Sequence, residues 1–211
     1  QTCCGQPMAN SGCAKDVKKL AIEFVKTFKD FDYIVAPSGS CVSMVKEHYA
    51  EFFDNDKDYN KVKASIYEVC EFFHDIIKIE NINFNVSFPH KVGLHNSCHG
   101  HRVLKLATAS ELNIPYDSKL KNLLNTISDI ELVTLKREDE CCGFGGTFSV
   151  QEEAISVAMG KDRIKDHIDS KAEIMTGADM SCLMHMDGII NRDKNPIKVM
   201  HIVEILAGVK P

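Results

Sequence analysis

The chain carries one short motif twice. Cys3-Cys4-Gly5-Gln6-Pro7 stands at its start and Cys141-Cys142-Gly143-Phe144-Gly145-Gly146-Thr147 in its second half. Each copy is trailed by a lone cysteine at similar distance: Cys41 lies 37 positions after Cys4, and Cys182 lies 40 after Cys142. Adjacent soft ligands followed by glycine sit on backbone able to bend closely around a bound group. Any fold for this chain has to bring such distant loops together, and to do so in two places.

Alternation of short apolar runs with amphipathic stretches predicts how. Residues 33–36 read as a strand that Pro37-Ser38-Gly39-Ser40 breaks, with a helix from Cys41 through Phe52. Within an extended stretch over 84–95, residues 92–95 are the expected strand before Asn96-Ser97-Cys98. Further strands are predicted over 131–135, ahead of the second cysteine pair, over 172–175, and over 197–202. Helices are predicted from Val17 through Phe28, over 61–77 on the spacing of Ile66, Val69, Phe72, Phe73 and Ile76, and over 102–112, 118–127, 150–169 and 203–207. Residues 1–12 read as a loop, and 182–190 as a turn and short helix. This pattern implies an α/β fold of two pseudo-repeated units, with mostly parallel sheets flanked by helices.

The expected units span 1–83 and 84–211, each closing on an apolar helix that contains a glutamate, Glu71 or Glu204. Open parallel sheets hold ligands at the carboxyl ends of strands, where Cys41, Cys98 and Cys182 fall. Cys98 precedes the second pair on its own strand, and nothing equivalent precedes Cys3. The expectation is that the first unit lacks an N-terminal βα segment carrying one more cysteine.

Nine cysteines in 211 residues, with no secretory leader, point away from a disulfide framework and toward metal or redox chemistry. Cys13 and Cys70 lie outside the paired motifs and read as small buried hydrophobes. With 44% hydrophobic and 26% charged residues the chain has an ordinary globular composition. A net charge of -5 without a basic stripe argues against a nucleic-acid partner, and no apolar run is long enough to span a membrane. A cytoplasmic protein is expected.

Cys98, Cys141, Cys142 and Cys182 form a complete four-thiolate set; Cys3, Cys4 and Cys41 form an incomplete first one. Four thiolates suit an iron-sulfur cluster or a structural zinc. Adjacent cysteines favour the cluster, because their Cα atoms are only about 3.8 Å apart, awkward for one zinc and natural for several irons. Gly143, Gly145 and Gly146 offer unshielded amides to sulfur. Gly143 to Thr147 lacks the lysine of a phosphate-binding loop, and a doubled, regularly trailed pair argues against a simple vicinal disulfide. His95, His99 and His101 bracket Cys98, and His185 follows Cys182; they read as hydrogen-bond donors around the site rather than ligands. Ser38 and Asp179 stand three positions before Cys41 and Cys182, where turn and capping roles are expected.

Together the motifs resemble the cysteine-rich CCG domain found in heterodisulfide reductase and in the iron-sulfur component of glycolate oxidase, and most of all the lactate-utilisation protein A group. The residues that carry the likeness are Cys3-Cys4-Gly5-Gln6-Pro7, Ala36-Pro37-Ser38-Gly39-Ser40-Cys41, Ser97-Cys98-His99, Cys141 to Ser149, Cys182-Leu183-Met184-His185 and His201-Ile202-Val203-Glu204. The resemblance implies an iron-sulfur electron-transfer subunit of a multi-subunit L-lactate oxidation complex, with companion subunits as partners and no catalytic residues of its own. The opening cysteine of the family is absent, and Ser38 and Asp179 replace the first cysteine of a Cys-x-x-Cys, so a 4Fe-4S cluster at the second site is the simpler expectation. Such a cluster is easily lost in air. Two other functions stay open on the residues alone: a zinc-stabilised scaffold, and a thiol-disulfide protein using the vicinal pairs.

Overall fold

Each strand of the protein is short, parallel to its neighbour and followed by a helix. The computed structural model describes residues 3–211. In chain order, α1 (Gln6–Asn10) and α2 (Ala14–Phe28) lead into β1 (Ile34–Ala36) and α3 (Gly39–Ser43), which runs on through a π turn at Met44–His48 and a tighter turn at Tyr49–Phe52. Then come α4 (Lys57–Ser65), β2 (Ile66–Glu68) and α5 (Val69–Glu71), continued by a π-helical stretch at Phe72–Lys78. The second half holds β3 (Lys91–Leu94), α6 (Lys119–Leu124), β4 (Glu131–Leu132), α7 (Phe148–Gln151), α8 (Glu153–Asp169), β5 (Ile174–Gly177), α9 (Met180–Asp193), β6 (Lys198–His201) and α10 (Ile202–Leu206).

The strands form two parallel sheets, β1-β2 and β4-β3-β5-β6. In the larger one Leu94 pairs with Thr176, and Thr176 with Met200, so the carboxyl ends of β3, β5 and β6 finish level. An antiparallel bridge between Ser38 and Asp179 joins the ends of β1 and β5. These two residues occupy matching places, each the N-cap of the helix that carries the trailing cysteine.

Packing explains the helices. On α2 the buried positions Val17, Ala21, Phe24 and Val25 fall on one face, and each large apolar side chain so buried contributes about 1.5–3 kcal/mol. They join a core that includes Tyr49, Ile66, Leu94, Ile174 and Ile202 and so runs through both halves of the chain. A smaller cluster, with Ile164, Met175, Leu183 and Met186, lies directly against Cys142 and Cys182.

Several local expectations are corrected. The helix expected over 61–77 is interrupted by β2, because Ile66, Tyr67 and Glu68 pair with Ile34, Val35 and Ala36. The helix over 102–112 is broken: Lys105 takes φ +56° after the turn at His99–Val103, and regular backbone resumes only at Ser110–Leu112. The loop over 1–12 contains α1, started by Pro7 in its first turn; its first two positions lie outside the described residues. Asp179 caps α9, so the short helix over 182–190 is a 14-residue one. The helix over 150–169 is divided at Glu152, whose backbone leaves the helical region. Cys70 is buried as expected, whereas Cys13 is exposed at the N-cap of α2.

Candidate metal centre

Both cysteine pairs fold into the same turn. Gly5 has φ +87° and Gly143 φ +86°, a left-handed conformation that a side chain disfavours. The turn folds the glycine amide back onto the first thiol of each pair: Gly5 N–H donates to Cys3 Sγ at 3.4 Å and Gly143 N–H to Cys141 Sγ at 3.3 Å. At the second site Phe144 N–H adds a contact to Cys142 Sγ at 3.5 Å. The amides aimed at sulfur are therefore those of Gly143 and Phe144. Gly145 and Gly146 also have positive φ, and their carbonyls receive Phe148 and Ser149 as the chain turns into α7.

The second site collects thiols from three loops. Cys98 follows β3, Cys141 and Cys142 follow β4, and Cys182 lies in the first turn of α9 after β5. Cys141 neighbours Cys98 and Cys142, and Cys142 neighbours Cys182. Cys142 and Cys182 are buried, while Cys98 and Cys141 are part exposed. The neighbouring Cys142 and Cys98 thiols pull Cys141 below its ordinary range, while the Cys141 neighbour and burial push Cys98 and Cys142 up. This donor set fits a metal or cluster that takes four sulfurs.

His95 closes the buried side. Its ligand atom lies within 4.8 Å of Cys142 and Cys182 Sγ. Burial, and then the Arg163 cation, depress its pKa to about 3, so the ring is neutral. Arg163 is itself fully buried and donates from Nε to His95 Nδ1 at 3.2 Å, from Nη2 to Leu94 O at 3.3 Å, and from Nη1 to Arg137 O and to Asp166 Oδ2. Asp166 in turn accepts the Lys136 and Arg137 amides at 3.1 Å each, fixing the loop that delivers Cys141. Nothing in the sequence marks Arg163 and Asp166: on α8 they stand among Lys161, Asp162 and Lys165 and look like part of a solvated face.

The remaining histidines are more peripheral. His99 Nδ1 is 3.9 Å from Cys98 Sγ, and its Nε2 accepts Gln6 Nε2 at 3.1 Å, a link between the two sites. His101 bonds Ser97 O through Nδ1 at 2.8 Å. His185 reaches Ser156 O at 3.3 Å and packs its ring near Phe144.

At the first site Cys4 Sγ donates to Cys41 Sγ at 3.5 Å. That bond, with help from the Ser38 and Ser40 hydroxyls, lowers the Cys41 pKa to about 6. Tyr49 O–H holds Cys4 O at 2.8 Å. The three cysteines line an apolar hollow of about 410 Å³ beside β1, with Phe24, Phe28 and Ile34. Asp179 reaches across from the second half: its carboxylate accepts Ser40 N–H at 2.7 Å and Ser40 Oγ at 3.3 Å, besides capping α9 through Ser181 N–H at 3.2 Å. Its geometry is that of a clamp between the halves. Glu68 and His201 occupy corresponding places, at the ends of β2 and β6, each closing a capping box with Glu71 or Glu204.

Paired thiols on glycine turns at parallel-strand ends define a cysteine-rich protein of the CCG class. The Cysteine-rich domain family (CCG) matches residues 1–46 and 92–187, which between them contain all seven cysteines of the two sites. Relatives extend the match over nearly the whole chain. Lactate utilization protein A of Geobacillus thermodenitrificans (strain NG80-2) is 40% identical over 210 residues, 98% of this chain and 82% of the relative. The protein of that name from Oceanobacillus iheyensis is 38% identical, covering 98% and 81%, and that from Exiguobacterium sp. 38%, covering 100% and 83%. The chain belongs to the lactate utilization protein A family.

Proposed function

We propose that this protein is an iron-sulfur electron-transfer subunit of an L-lactate oxidation system, acting in the cytoplasm with companion subunits. The observation that carries this reading is the convergence of Cys98, Cys141, Cys142 and Cys182 after the carboxyl ends of β3, β4 and β5, with backbone amides turned onto the Cys141 and Cys142 sulfurs. A 4Fe-4S cluster bound by these four thiolates would supply one-electron transfer. The chain's own part is to hold the thiolates, shield them on the Cys142 and Cys182 side, and leave Cys98 and Cys141 accessible to a redox partner. Lactate utilisation is taken from the names of its relatives. Among the described residues no helix is long and apolar enough to cross a membrane. In this reading the two CCG units meet between residues 83 and 84.

A zinc-stabilised scaffold is the second reading, favoured by the close grouping of His95, Cys142 and Cys182, a donor set zinc accepts. Iron, sulfide and zinc content, with absorption and EPR spectra after anaerobic reconstitution, separates the two. Iron and sulfide in roughly equal amounts support electron transfer. Stoichiometric zinc with no redox signal overturns it.

A further inference from the structure

The two ring nitrogens of His95 differ in their surroundings. Its backbone N–H donates to Thr176 O at 2.7 Å, and its Nδ1 receives Arg163 Nε at 3.2 Å, while Nε2 is buried without a hydrogen-bond partner among the described residues. A guanidinium N–H can only donate and keeps its proton under all ordinary conditions. Nδ1 must therefore present its lone pair, and the single proton of the neutral ring sits on Nε2. Arg163 has little freedom to release this arrangement, since Leu94 O, Arg137 O and Asp166 hold its other nitrogens.

A buried N–H without an acceptor costs about 1–3 kcal/mol, and the acceptors that the ring approaches, within 4.8 Å, are the sulfurs of Cys142 and Cys182. Coordination of a metal through Nε2 would need a second lone pair and would leave the ring with no proton at all. We infer that His95 serves the second site as an Nε2–H donor to sulfur and not as a metal ligand, with Arg163 as the positioning residue that fixes the tautomer. This deepens the iron-sulfur reading and rests on it for its redox consequence: an N–H donated to sulfur favours the more negatively charged, reduced state.

Two measurements test the inference, and the first needs no cluster. Long-range ¹H–¹⁵N NMR of the metal-free protein should show the His95 ring protonated at Nε2 and bare at Nδ1, with Arg163→Met giving mixed tautomers; Nδ1–H in the unsubstituted protein overturns the proposal. The second compares His95→Phe and His95→Gln after anaerobic reconstitution. Retained iron and sulfide, with a midpoint potential shifted negative in His95→Phe and partly restored in His95→Gln, is the expected result. Loss of iron and sulfide from both variants, or an unmoved potential, overturns it. Should the unsubstituted protein take zinc alone, the proposed function falls while the NMR result still decides the tautomer.

Discussion

The first and second sites share a backbone and differ in what surrounds it. Gly5 and Gly143 make the same turn, β1 and β5 deliver a helix bearing the trailing cysteine, and β2 and β6 end in matching capping boxes. Yet β5 lies between β3 and β6, whereas β1 pairs with β2 alone among the described residues. Cys98 arrives on the loop after β3, so the fourth thiolate comes with that neighbouring strand. A Cys-Cys-Gly turn and a trailing cysteine thus build three-quarters of a site, and an adjacent parallel strand completes it.

The strongest way to break that comparison is to remove one thiol from each half. Cys182→Ser should abolish most of the iron and sulfide bound after anaerobic reconstitution, because three thiolates remain where four are needed. Cys41→Ser should remove a much smaller share. Equal losses from the two variants would mean that the first site holds a cluster as well as the second.

Next in size is the glycine of each turn. Both have the same positive φ, so alanine at either costs about 1–2 kcal/mol for the left-handed backbone. At Gly143 a Cβ would also stand 2.6 Å from Ser156 O and 2.7 Å from Met159 Cβ, while at Gly5 the nearest atom, Leu20 Cδ1, is 3.4 Å away. Overpacking against α8 adds about 1–3 kcal/mol, so chemical denaturation should rank Gly143→Ala well below Gly5→Ala in stability. Matching stabilities would show that α8 yields more readily than its close contact with the turn implies.

Much of this is legible in the residues themselves. The doubled motif with its trailing cysteines picks out six of the seven site cysteines, the end of a predicted strand picks out Cys98, and the strand-helix alternation implies the parallel sheets. What stays hidden is hidden for physical reasons. Ile66 to Glu68 continues the apolar spacing of the helical stretches on either side, so only its pairing with β1 reveals a strand. Arg163 acquires its role by burial against β3, which charge patterning along α8 cannot show. Asp179 is recognisable as a cap from its place before Cys182, but its reach to Ser40 depends on how the two halves meet.

A smaller, pH-dependent contrast lies in the capping boxes, where Glu68 stands at the place of His201. Burial raises the Glu68 carboxyl from 4.5 to about 7, against the opposing pull of the Cys70 and Glu71 amides. Its folded pKa is above the unfolded one, so the associated stability is present below about pH 4.5 and is lost as pH rises through 7, by roughly 3 kcal/mol. Burial lowers His201 instead, and stability there is lost as pH falls below the ordinary histidine range. Thermal melts between pH 5 and 8 should show Glu68→Gln gaining on the unsubstituted protein as pH rises. Parallel curves would sink the assignment of a protonated Glu68.

The mildest test concerns the bridge where the halves meet. Asp179 accepts N–H groups from both sides, Ser40 of the first half and Ser181 of the second, and is almost fully buried. Ser38, its counterpart across the bridge, makes no side-chain cap and contacts only the Ser40 hydroxyl at 3.2 Å and the Cys41 thiol. Truncating a buried acceptor leaves two amides unpaired, each worth about 1 kcal/mol, whereas loss of a hydroxyl that caps nothing costs about 0.5 kcal/mol. Asp179→Ala should therefore lower the unfolding free energy by about 2 kcal/mol, and Ser38→Ala by about a quarter of that. If Ser38→Ala proved the more damaging, the clamp would run from the first half to the second, and the asymmetry drawn from the Asp179 hydrogen bonds would have to be reversed.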